Sequence, residues 1–265
     1  MDAIDVRPYR AWFTGFCRSF ATPVGEDQRN LDLKEEHTGR VRDNALRIAA
    51  GLGLDEQDTA LAEIIALLHD VGRFPQYRDY RTFRDSESVN HAALSAKVLI
   101  EHRTLADLGK GDEDLVLRAI TLHNVFTLPR SLDPRTALHA RIVRDADKLD
   151  IWRVFGEILA LPGAERPSAA ALGLPETPEY APEILQQLRR REMVRLTSLR
   201  TLNDFKLLQL AWVYDLNFLP SLLMVQDRGV IGRLSATLPR DAAVLSAVDA
   251  VRQYVVERIA EQPGT

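Results

Sequence analysis

Six side chains spread along the chain share one chemistry: His37, His69, Asp70, His91, His123 and Asp147. His69 and Asp70 are adjacent and close the apolar run Leu67-Leu68, with Val71-Gly72-Arg73-Phe74 following. Neutral imidazoles beside carboxylates suit a hard or borderline divalent cation such as Mn, Fe, Co, Ni, Zn or Mg. Taken singly, a histidine on an apolar helix face is more often a hydrogen-bonded core residue than a ligand. The set weighs differently, because four of the six histidines and several acids fall at inner faces or ends of apolar segments. Burying so many ionisable groups without a partner is costly, and a metal is the economical explanation.

Separate helices must carry these groups. Trp12, Phe13, Phe16 and Phe20 form an amphipathic stripe over residues 9–21, ended by Thr22-Pro23-Val24-Gly25. A helix over 30–52 follows from Val41, Ala45, Ile48 and Ala49, and His37 lies on its apolar face. Asp55 is the expected N-cap of a third helix, whose inward Leu61, Ile64, Ile65 and Leu68 lead to His69 and Asp70. Residues 73–90 are expected as a long polar loop, ordered by its interleaved aromatics. Ser88 would then cap a helix carrying His91, Leu94, Val98 and Leu99 as far as Arg103. Another begins at Asp112 and ends near His123-Asn124, and Asp133-Pro134 opens one running to about Leu159.

Within Asp145-Ala146-Asp147-Lys148-Leu149-Asp150, Asp147 and Asp150 share a helix face, and Asp147 lies four residues after Val143, which turns it inward. Asp145 falls about 200° from Asp147 around the helix; it is expected as a partner of a histidine rather than a ligand. Lys148 is placed to meet an anionic substrate, while His102 and His139 fit no pattern and are expected in solvent.

Residues 161–182 are Pro-rich and irregular, a candidate linker or lid. Leu202, Phe205, Leu208, Leu210, Trp212 and Leu216 mark a long helix, followed by helices anchored at Pro220 and Pro239. No segment sustains period-two alternation, so the fold class is all-α. At 265 residues and 46% hydrophobic content, one domain is expected, with a metal-site core over about 30–155 and a helical extension over about 183–265.

Cys17 is the only cysteine, which excludes an intrachain disulfide and a thiolate zinc site, and its Phe-rich surroundings make it a small core filler. A net charge of −4 from 34 basic and 38 acidic residues lacks the positive field of a bulk nucleic-acid binder. No apolar run reaches the roughly 20 residues of a membrane span. Acids at Asp2 and Asp5 do not resemble a signal peptide, so a cytoplasmic protein is expected.

The order His37, His69-Asp70, Asp147 resembles the HD superfamily, with Leu-Leu-His-Asp-Val-Gly-Arg similar to its doublet segment and Asp147-Lys148 to its closing Asp-Lys/Arg. Gly-Arg-Phe-Pro-Gln-Tyr, Thr-Phe-Arg-Asp and Asn-His-Ala-Ala-Leu resemble a bacterial branch of HD phosphohydrolases. The resemblance implies an HD-type helical bundle and, with the two extra histidines, a dinuclear centre bridged by Asp70. His37, His69, Asp70 and Asp147 would then hold one ion, and Asp70, His91 and His123 the other. Cyclic-dinucleotide phosphodiesterases of the superfamily have a second histidine where this chain has Asn124, and a Gly-Tyr-Pro motif absent here.

Such a centre would hydrolyse a phosphate ester, a nucleotide or related small anionic molecule, through metal-activated hydroxide. Asp70, Arg73 and Lys148 are the expected catalytic residues, and Arg73, Gln76, Tyr77, Arg81 and Lys148 the expected substrate contacts. The same ligand set also resembles the mixed-valent di-iron oxygenases of the superfamily, and a third alternative is a nucleotide-binding regulator without turnover.

Overall fold

The computed structural model describes residues 4–160 and 173–261. The described residues are helical, with no strand, and fall into two compact units. One runs to Val154 and includes Ile158; the other comprises Phe155–Glu157 and the residues from Gly173 onward. Where the sequence suggests one domain with an extension, the division therefore lies within a helix.

In the first unit α1 (Arg7–Arg18) buries Tyr9, Phe13 and Cys17, so Cys17 is the core filler its context suggests. Helix α2 (Gly25–Gly51) starts a turn earlier than its apolar spacing indicates. Helix α3 (Glu56–Leu68) is capped by Asp55, whose side chain accepts the Asp58 N–H at 2.8 Å. Every side chain from Ala60 to Leu68 is buried, as expected of a helix apolar on all sides; α1, α2 and α6 (Lys110–Leu122) pack around it. Its one buried acid, Glu63, accepts a 2.6 Å hydrogen bond from Arg10.

The expected loop over 73–90 is instead largely structured. Residues Arg73–Tyr80 form helix α4, and Asp85–Glu87 a single 3-10 turn. Phe74 and Tyr77, one turn apart, are buried, and Phe74 meets Phe13, Phe16 and Phe20 edge-on or tilted. Burial against α1 outweighs the polar composition that favours a loop, and Arg81 ends the helix in the left-handed conformation at φ 57°. Asn90, not Ser88, caps α5 (His91–Glu101), accepting the Ala93 N–H at 2.9 Å. Asp133 caps α7 (Pro134–Ala160), accepting the N–H groups of Arg135 and Thr136.

The second unit contains α8 (Pro182–Arg189), which the sequence reading passes over despite its buried Ile184, Leu185 and Leu188. Helix α9 (Leu202–Ala211) begins at a reciprocal Thr201–Asp204 capping box. The expected long helix stops there and tightens into a 3-10 turn at Trp212–Asp215, which carries the Tyr214 hydroxyl to the Leu188 carbonyl at 2.7 Å. Helices α10 (Leu219–Asp227), α11 (Val230–Ala236) and α12 (Ala242–Ala260) complete the unit. Of the expected linker or lid, residues 161–172 lie outside the described residues. Residues 173–181 are pinned to the start of α9 through Leu202 N–H to Pro175 O at 3.0 Å and Ala181 N–H to Asp204 at 2.6 Å. No helix among the described residues is long and apolar enough to cross a membrane.

Candidate metal centre

The first unit brings all six expected ligand side chains to one place. His69 and His123 are the C-caps of α3 and α6, His37 lies on α2, His91 opens α5 and Asp147 lies on α7. Candidate ligand atoms within 4.8 Å of one another form three overlapping groups: His37, His69 and Asp70; His69, His123 and Asp147; and Asp70, His91 and His123. The four histidines and Asp70 are at most 5% exposed.

The two oxygens of Asp70 face different partners. Oδ2 lies 3.9 Å from His37 Nε2 and 3.8 Å from His69 Nε2. Oδ1 lies 3.4 Å from His91 Nε2 and 3.8 Å from His123 Nε2. Asp147 Oδ1 reaches His37 Nε2 at 3.0 Å and His69 Nε2 at 3.9 Å.

Each ring has its Nδ1 committed elsewhere. His69 Nδ1–H donates to the Ala66 carbonyl and His123 Nδ1–H to the Ile120 carbonyl, both at 2.7 Å. His37 Nδ1–H donates to Asp150 at 2.7 Å and His91 Nδ1–H to Asp85 at 2.7 Å. A carbonyl or carboxylate only accepts, so in each neutral ring the proton belongs on Nδ1 and the Nε2 lone pair points inward. His91 Nε2 and His123 Nε2 stand 2.9 Å apart, two lone pairs facing each other. His69 Nε2 and Asp70 Oδ1 are buried without a hydrogen-bond partner. Buried acceptors left in this state are costly, and a cation satisfies them together, so the donor set fits a divalent metal.

The protonation equilibria agree for three of the four rings. Burial lowers the pKa values of His69 and His91, with Arg73 adding to the effect at His91. Burial and the neighbouring His91 and His69 bring His123 down to about 3. Burial and Lys34 also push His37 down, but its bonds to Asp147 and Asp150 outweigh them and raise it. Burial works against ionisation of Asp70 and Asp147; the surrounding cations and imidazoles prevail and hold both below the ordinary carboxylate value.

Several expected substrate contacts are placed differently. Gln76 is fully buried, and its amide donates to Asp85, Ser88 and the Val89 carbonyl while accepting from Arg73. It holds the segment after α4. Tyr77 is buried, donating its hydroxyl to Asp27 and accepting from Asn30. Arg81 pairs with Asp27 on α2. Arg73 stays at the centre: Nη1 bonds Asp85 and the Phe83 carbonyl, and Nε, without a hydrogen bond, lies 3.5 Å from Asp70 Oδ1. Lys148 Nζ donates to the Arg144 carbonyl at 3.3 Å.

The partner of His37 is Asp150; Asp145 is fully buried. His139, expected in solvent, is 1% exposed and bonds Asp58 at 3.2 Å, because α7 turns it toward the start of α3. His102 is exposed, as expected. Sequence reasoning missed Asp85, which backs His91 and also accepts from Asn124. It missed Lys34 as well, whose Nζ sits 2.9 Å from Asp70 Oδ2; its position three residues before His37 on one helix face was the available signal.

No curated protein and no solved structure gives a significant match to this chain. The family model of the HD domain matches residues 35–152, a span that contains all six of the clustered histidine and aspartate side chains. That segment is an HD domain.

Proposed function

We propose that this protein is a metal-dependent phosphohydrolase acting on a nucleotide or other small phosphate ester. His37, His69, Asp70 and Asp147 hold one divalent ion in this reading, and Asp70, His91 and His123 a second. The observation that carries it is the division of Asp70, with Oδ2 turned to His37 and His69 and Oδ1 to His91 and His123. When bound, such cations supply Lewis acidity and make water acidic enough to act as a nucleophile near neutral pH.

The chain's own residues do the rest. His69, His91 and His123 are held neutral with Nε2 inward, and Asp70 and Asp147 are ionised at any physiological pH. Two carboxylates against two divalent ions leave net positive charge, which favours an anionic substrate. The buried, unbonded Arg73 Nε–H is available to a non-bridging phosphoryl oxygen, and its Nη1 anchors the Asp85 that orients His91. Lys148, beside Asp147 on α7, adds positive charge.

The test is elemental analysis of the purified protein, together with a phosphatase and phosphodiesterase panel run with Mn, Fe, Co, Ni, Zn and Mg. Asp70→Ala is expected to lose metal and hydrolysis together, and full metal occupancy in that variant would refute the bridging role. Iron with a mixed-valent signal and oxygen consumption would replace hydrolysis by oxygenase chemistry. Binding of phosphate esters without turnover across the panel would make the site a sensor.

A further inference from the structure

Lys34 is charged, 16% exposed, and set directly on the carboxylate at the middle of the centre, with Nζ 2.9 Å from Asp70 Oδ2. That oxygen is the one facing His37 and His69. The ammonium also lies over the Phe83 ring, 5.3 Å from its centroid, and the same ring has Arg73 at 6.0 Å. Arg73 is tethered through Asp85, Gln76 and the Phe83 carbonyl. Lys34 instead reaches the centre on a long flexible stem from the face of α2 that also carries His37.

We infer that Lys34 is an internal counter-ion of the metal-free centre that competes with divalent metal for Asp70 and, once displaced, contacts the anionic substrate. The inference rests on the proposed metal site. Like charges repel across a few ångströms of low-dielectric interior, so an ammonium cannot keep its place on a carboxylate oxygen that also binds a divalent ion without loss. Freed from Asp70, the ammonium is drawn to an anionic substrate held at the same centre. Uptake of metal and capture of the phosphoryl group are then coupled through one side chain, and a chain without metal would not present its lysine to phosphate.

The consequence is a pair of opposite effects that a merely structural lysine would not produce. Lys34→Met removes the competitor and should tighten Mn²⁺ binding by about threefold, the scale of a partly exposed ion pair. The same variant, loaded with Mn²⁺, should bind inorganic phosphate about tenfold more weakly, the scale of one charged hydrogen bond. Lys34→Arg, which keeps the charge, should retain phosphate binding. Calorimetric titration of each protein first with Mn²⁺ and then with phosphate reads both quantities, with circular dichroism confirming that the helices are intact. Weaker Mn²⁺ binding in Lys34→Met, or phosphate affinity equal to that of the parent, would overturn the inference while leaving the metal site in place. A parent protein that takes up no Mn²⁺, Fe²⁺, Co²⁺ or Zn²⁺ would remove the metal reading itself and this inference with it.

Discussion

Two of the four central imidazoles lean on carboxylates, His37 on Asp150 and His91 on Asp85, while His69 and His123 lean on backbone carbonyls three residues earlier. Each half of the proposed dinuclear centre therefore has one ring backed by a charge and one backed by a helix terminus. A carboxylate on Nδ1–H makes the imidazole a stronger donor through Nε2 and fixes its orientation. Asp85→Asn keeps an acceptor oxygen but removes the charge. It is expected to weaken metal binding at the Asp70, His91 and His123 side by about 10- to 100-fold. Mn²⁺ titration measures this, and an unchanged affinity would show that Asp85 only organises the segment after α4.

The elements achieve the convergence through parallel helices. Eleven residues separate Asp58 from His69 on α3 and Asp112 from His123 on α6, close to three turns, so the members of each pair share a face roughly 16 Å apart. At one end Arg135 of α7 bonds Asp58 at 2.7 Å and Asp112 at 2.6 Å. At the other end the His69 and His123 rings meet at 5.0 Å, with Asp147 beside His69. Helix α5 is brought in by Gly72, whose N–H donates to Ser95 Oγ at 2.8 Å. A β-carbon on Gly72 would lie 2.5 Å from the His91 carbonyl oxygen and 2.5 Å from Ser95 N, so space, rather than backbone angle, demands glycine there. Gly72→Ala should destabilise the fold by about 1–3 kcal/mol and reduce metal content, since α5 must move away with His91. Denaturant unfolding and elemental analysis check both, and a variant as stable as the parent would mean that α5 yields freely.

At the scale of the whole molecule, the buried centre makes stability depend on pH. His69, His91 and His123 titrate below their ordinary value of 6.5 in the folded chain, His123 at about 3. Between those pH values the unfolded chain binds more protons, so their contribution is complete above 6.5 and is lost as pH falls. The lowered Asp70, Asp147 and Asp150 act in the same direction below 3.8. His37 is raised, and its opposite contribution, present below 6.5 and lost on alkalinisation, is one group against three. The metal-free protein should therefore unfold at progressively lower denaturant concentration as the pH drops below 6.5. A midpoint that stays flat or rises in chelator-containing buffer would show that these histidines are already protonated in the folded state.

Local patterns determined the helical class, the caps at Asp55 and Asp133, and the set of six metal-capable residues, because periodicity and residue type are properties of short stretches of chain. Tertiary structure decided what those stretches meet. Burial of Phe74 and Tyr77 against distant aromatics and α2 turned an expected loop into α4. Contacts from other helices assigned Asp150 to His37, committed Gln76 and Tyr77 to internal hydrogen bonds and buried His139. Asp85 and Lys34 reach the centre only because α4 packs against α2 and α5 and α2 against α3, and no spacing along the sequence encodes which helix lies next to which. The chemistry was written in residue types, while the choice of which charges touch it came from packing.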